Sequence, residues 1–136
     1  MRVKELLMEG MTKKDTFTVL LEFIRFAANH LNLDKLPKID FKFDSKRSIE
    51  HSSFGGYGPS EKHITITVLN RHIMDVCRTL AHELVHFKQD LDNQLNDPEA
   101  GTTGSPQENE ANAEAAIIMR NWGKKHPELF GKQSIE

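Results

Sequence analysis

Residues 64–92 read ITITVLNRHIMDVCRTLAHELVHFKQDLD, and the change of period inside this stretch decides the fold class. Ile64-Thr65-Ile66-Thr67-Val68 alternates apolar and polar side chains, β-branched throughout, as a half-buried strand does. Ile64, Ile66 and Val68 are expected to face the core, with Thr65 and Thr67 on the wetter face. From about residue 71 the period lengthens. Ile73, Cys77, Leu80, Leu84, Phe87 and Leu91 recur every three or four residues, an apolar stripe along one long helix over 71–92. Cys77 sits inside that stripe and reads as a small core residue.

Outward from this stretch the chain supplies packing partners. Phe17, Leu20, Leu21, Ile24, Ala27, Ala28 and Leu31 follow helical spacing, which predicts an amphipathic helix over 15–31. Ile39-Asp40-Phe41-Lys42-Phe43 alternates as a short strand, and a weaker strand is expected near 49–54. Gly55-Gly56-Tyr57-Gly58-Pro59 reads as a turn cluster. Beyond a polar loop over 93–107, Ser105-Pro106-Gln107-Glu108 sets a cap, an N1 proline and an N3 glutamate in the order that starts a helix. That helix is expected to run to Trp122, with Gly123 as its C-cap. A short helical turn should follow, with loose ends at 1–12 and 131–136. The sum is a small α+β domain over 1–136: a support helix, a short mixed sheet with strand 64–68 at its edge, the long helix, and a glutamate-bearing helix.

Composition narrows the function classes. At 136 residues and 15.5 kDa the chain has room for one core. Eighteen Lys+Arg against 20 Asp+Glu leave a net charge of −2, so no basic field is available to hold nucleic acid. Arg120, Lys124, Lys125 and Lys132 read as a solvated helix face. The single cysteine excludes an internal disulfide and a thiolate metal site. Apolar runs fall far short of the roughly 20 residues that span a bilayer. Glu5 and Glu9 interrupt the N-terminus before a signal-like apolar region develops. The expectation is a cytoplasmic protein with no membrane partner.

The chemistry lies in His82-Glu83-Leu84-Val85-His86. Positions four apart on a helix lie one above the other with a rise of about 6 Å, so both imidazoles can reach one ion. Glu83, turned about 100° from His82, can sit beside that ion without ligating it and take a proton from a metal-activated water. A third ligand must come from elsewhere. Gln89 and Asp92 stand where a metzincin would continue toward glycine and a third histidine. The final helix offers Glu108, Glu110 and Glu114. Two histidines and one carboxylate leave one tetrahedral position open, as catalytic zinc requires.

HELVH at 82–86 together with ENEANAEAA at 108–116 resembles the gluzincin arrangement of zinc metallopeptidases, and is similar to compact metallopeptidases of the ImmA/IrrE-like group. The similarity covers roughly residues 70–120. It implies a minimal zincin-like fold, one Zn²⁺ per chain held by His82, His86 and Glu108, and hydrolysis of peptide bonds in a peptide or protein substrate with Glu83 as general base. It further implies that Asn112 orients His82, and that Ala111 and Ala115 let two helices approach closely. The family often has Asp where this chain has Asn112, and no helix-turn-helix is evident here. A SprT-like reading expects a third histidine soon after His86, which is missing.

Tyr57 is a candidate donor to a tetrahedral oxyanion, and His51 and His63 are candidates for contacting substrate. His30 and His72 read as helix-end residues. Leu7-Met8-Glu9-Gly10 resembles the site cut by prohead proteases of T4-like phages, which implies a phage-encoded protein of host cytoplasm or virion. The alternative function is a non-catalytic zinc-binding interaction or virion structural module.

Overall fold

The computed structural model describes residues 12–43, 55–69, 71–95 and 104–129. Along them run α1 (Lys13–Leu31), β1 (Lys38–Lys42), β2 (Gly55–Gly58), β3 (His63–Thr67), α2 (Ile73–Leu91), α3 (Pro106–Lys125) and a 3₁₀ turn, Pro127–Leu129. This is a small α+β fold of three helices and a three-stranded mixed sheet. The weak strand expected at 49–54, the residues 7–10 and the ends 1–11 and 131–136 lie outside the described residues.

Local chemistry sets the helix ends. The Thr12 hydroxyl accepts from the Asp15 N–H at 3.1 Å and caps α1. The Ser105 hydroxyl accepts from the Glu108 N–H at 3.1 Å and caps α3, with Pro106 in the first turn. Helix α1 is capped by Asn32 (φ 56°), and α2, past its cap Asp92, is followed by Asn93 (φ 60°), both asparagines in the left-handed region. In each case two N–H groups turn back to the last carbonyls. Leu33 donates to Ala28 at 3.0 Å and Asn32 to Asn29 at 3.2 Å; Gln94 donates to Gln89 at 2.8 Å and Asn93 to Asp90 at 3.0 Å. Helix α3 does not stop at Gly123. Gly123 is buried within it, and the helix continues to Lys125, capped at His126.

The sheet corrects one expectation. Strand order is β1-β3-β2, so β3, expected at an edge, is the central strand. It pairs parallel with β1 (Ile39↔Ile64, Phe41↔Ile66) and antiparallel with β2 (Tyr57↔Ile64, Gly55↔Ile66). The reason is burial. Ile64, Ile66 and Val68 are fully buried, and the most apolar strand gains most from neighbours on both sides. Thr67 also departs from the alternation. It is buried at the strand end, where Arg71 returns to donate to its carbonyl oxygen at 3.0 Å.

Strand β2 occupies the glycine run expected to be a turn. Glycine there serves a close approach: a β-carbon on Gly55 would lie 2.5 Å from the Thr79 methyl of α2 and 3.0 Å from Ile66 Cδ1. Thr79 cannot turn aside cheaply, because its hydroxyl donates to the Asp75 carbonyl at 3.0 Å and accepts from Arg71 at 2.7 Å. Gly55→Ala is therefore expected to destabilise the fold by about 1–3 kcal/mol through overpacking. At Gly56 an added β-carbon would meet no other atom within 4 Å, so alanine should be tolerated far better there. Chemical denaturation of the two variants side by side checks this.

One buried cluster joins α1, β3, α2, α3 and Leu129 of the 3₁₀ turn. Helix α2 is enclosed on most of its circumference, packed by α1, α3 and the sheet. Phe23, outside the expected apolar face of α1, is fully buried edge-on to Trp122 with ring centroids 5.1 Å apart, whereas Leu21 is 56% exposed. No helix among the described residues is long and apolar enough to cross a membrane.

Candidate metal centre

The most extensive contact between helices is that of α2 with α3, and it brings His82, His86 and Glu108 together. Small residues allow the approach: Ala111 and Ala115 are buried on α3. His82 Nε2 lies 2.8 Å from Glu108 Oε1, and His86 Nε2 lies 3.1 Å from Glu108 Oε2. The two Nε2 atoms are 3.1 Å apart. A tetrahedral ion with bonds of about 2.0–2.1 Å would separate its ligand atoms by roughly 3.3 Å. Taking one ligand atom from each residue, the three donors lie within 4.8 Å of one another, close enough for a single ion to reach all three.

Glu108 reaches this position through the start of its own helix. It is the third residue of α3, where a capping-box glutamate would bend back toward its cap. Instead its carboxylate crosses to α2, with both oxygens engaged by the histidines. The helix dipole favours the negative charge in this first turn. Glu110 is turned to a different partner, accepting at Oε1 from Gln89 Nε2 at 2.8 Å. Glu114 Oε2 lies 3.1 Å from His30 Nε2. The three glutamates of the final helix thus share no side-chain partner: Glu108 meets the two histidines, Glu110 meets Gln89 and Glu114 meets His30.

The buried Gln89 is a residue that sequence reasoning passed over. Its Oε1 lies 2.7 Å from His86 Nδ1, and its Nε2 donates to the Gln107 carbonyl at 2.9 Å as well as to Glu110. Because both acceptors claim the amide nitrogen, the oxygen must face His86, and His86 donates from Nδ1. The available signal was positional: residue 89 lies three beyond His86, on the same side of the helix. Gln107 in turn donates to the Gln94 carbonyl at 3.0 Å, tying the end of α2 to the start of α3.

No family model matches the sequence, and neither the curated proteins nor the solved structures contain a match to it. The site's meaning therefore rests on its own chemistry.

Burial holds the His82 imidazole below its ordinary pKa, with His86 adding to the effect, while the Glu108 charge and hydrogen bonds with Asn112 and Glu108 oppose it. A neutral imidazole is the form that ligates metal. Asn112, named by the resemblance as the partner of His82, is one of those neighbouring groups and is itself exposed to solvent. Glu83 stands beside the three donors without joining them, its Oε1 3.9 Å from His82 Nε2. It is 6% exposed. Burial pushes its carboxyl up to about 7; the Glu108 charge adds to the rise and His86 counters it.

Tyr57 is placed differently from the oxyanion role expected of it. Its ring packs edge-on to Phe87 with centroids 6.0 Å apart, and its hydroxyl donates to the Asp90 carboxylate, which also accepts from Lys62. Burial first, and then Asp90, push the hydroxyl pKa up, so it stays a proton donor already committed to Asp90. His63 lies 2.7 Å from Asp40 across the sheet and alternates with the core-facing Ile64, so it points away from α2. His51 lies outside the described residues. Cys77 is fully buried, and burial pushes its thiol up, leaving no thiolate for a ligand. A cavity of about 260 Å³ lies between α1, α2 and α3, but Gln89, Glu110 and His30 help to wall it and none of the three clustered donors does.

Proposed function

We propose that this chain is a zinc-dependent peptidase whose metal is held by His82, His86 and Glu108 and whose general base is Glu83. The observation that carries the reading is a meeting of acceptors. Gln89 Oε1 accepts a hydrogen bond from His86 Nδ1–H, so His86 presents the Nε2 lone pair toward His82 Nε2 and Glu108 Oε2, each 3.1 Å away. Lone pairs and a carboxylate brought this close in a partly buried site make a favourable seat for a cation. Two imidazoles and one carboxylate suit zinc and leave room for a fourth, non-protein ligand.

Bound there, zinc would act as a Lewis acid on a water and on a substrate carbonyl. The chain's own residues do the rest. Glu83, buried beside the donors, accepts a proton as the water oxygen attacks the carbonyl carbon. It then returns that proton to the departing amine nitrogen as the C–N bond breaks. A carboxyl raised toward neutrality suits both halves of this exchange at physiological pH. The intact, non-ligating Glu83 favours catalysis over a closed structural site, which would recruit a fourth protein ligand.

Purified protein is expected to carry about one zinc per chain, and chelation to lower its melting temperature. Metal bound only to the folded state contributes about 2.7 kcal/mol at a free concentration 100 times Kd, or roughly 10 °C for a chain of this size. Metal analysis showing no zinc, with a melt indifferent to chelator and to added zinc, overturns the reading.

A further inference from the structure

We propose that Gln89 is a positioning residue of the metal centre, an amide bridge that locks His86 in its metal-binding tautomer and fixes that ring to α3. The inference rests on the reading of His82, His86 and Glu108 as a zinc site.

The geometry assigns each atom of the amide. Gln89 is 1% exposed, so each of its polar atoms must find a partner inside the protein. The nitrogen has two, the Gln107 carbonyl at 2.9 Å and Glu110 Oε1 at 2.8 Å. Rotating the amide by 180° would set its oxygen against a carbonyl and a carboxylate, acceptor against acceptor. The oxygen is thereby held toward His86 Nδ1, at 2.7 Å. The imidazole then carries its proton on Nδ1 and turns Nε2 toward Glu108. Its remaining freedom, rotation about the side-chain bonds, is restrained by the same contact. Because Glu108, Gln107 and Glu110 all belong to the first turns of α3, the bridge couples the orientation of one ligand, His86, to the placement of another, Glu108. A polar amide buried at this position has no packing advantage over leucine or methionine, since burying it unpaired is costly. Its use lies in the hydrogen bonds it makes.

Partners that orient a ligating histidine typically change metal affinity about 10–100-fold when removed. Gln89→Met keeps much of the side-chain length but neither donor nor acceptor. Gln89→Asn keeps an amide one methylene too short to span His86 and α3, and serves if the methionine variant does not fold. Zinc affinity of the metal-free proteins, measured by competition with a chromophoric chelator, is expected to weaken about 10–100-fold in these variants. Cobalt(II) provides the second readout. Its visible bands report ligand geometry, and they are expected to shift in the variants, which a loss of packing away from the metal would not cause. A folded variant with zinc affinity within about twofold of the wild type and an unchanged cobalt spectrum overturns the proposal while leaving the zinc site standing. Failure of the wild type to bind either metal overturns the zinc reading itself, and this inference with it.

Discussion

Replacing Glu108 by alanine is expected to weaken zinc binding by more than about 100-fold, beyond what loss of an orienting partner costs. The carboxylate touches both imidazole nitrogens, at 2.8 and 3.1 Å, so its removal deletes the acidic member of the proposed ligand set. Most of the stabilisation by added zinc should vanish with it. The decisive comparison is Glu110→Ala. Glu110 contacts Gln89, and the Gln107 carbonyl still holds the Gln89 amide after Glu110 is truncated, so zinc affinity should change little. Calorimetric titration of both metal-free variants checks the contrast. Zinc binding unaffected by Glu108→Ala, or lost only in Glu110→Ala, would show that α3 presents a different carboxylate to the ion.

Glu83→Gln separates enzyme from binding module. The glutamine keeps the shape of the side chain but lacks the basic oxygen, and Glu83 stands 3.9 Å from His82 Nε2 rather than within the ligand set. Zinc content and fold should survive. Hydrolysis should fall by about 10²–10⁴, the usual contribution of a positioned general base. His82→Ala should instead lose metal and activity together. The assay presents wild type and variant, matched in zinc, with a broad peptide library at neutral pH. Equal cleavage by the two points to a contaminating protease. A zinc-loaded wild type that cleaves nothing in the library favours the alternative, a zinc-binding interaction module.

Much of the architecture was legible because it depends on local sterics. The spacing of His82 and His86 is one helical turn, and the structure sets their rings 4.7 Å apart. The Ser105 cap and the alternation of Ile64, Ile66 and Val68 are equally local, fixed by a hydroxyl three residues from an N–H and by the two-residue period of a strand. Even so, the glycines at 55–58 misled. They read as a turn because glycine permits one, yet they form a strand because α2 passes too close for a side chain at Gly55.

By itself, then, the sequence determined the helices, the central apolar strand and the pairing of two histidines with an adjacent glutamate on one helix. Tertiary structure alone decided that β3 has neighbours on both sides, and that the Tyr57 hydroxyl donates its hydrogen bond to Asp90. It also brought Glu108, which among the three glutamates only the family resemblance singles out, against the histidines, and placed Gln89 behind His86. The physical reason is the range of the forces involved. Periods of 2 and 3.6 residues come from backbone geometry and leave their mark on neighbouring residues in the chain. The rotation of α3 about its axis, and the order of strands in the sheet, come from burying apolar surface contributed by residues far apart in sequence, and no local pattern records that sum.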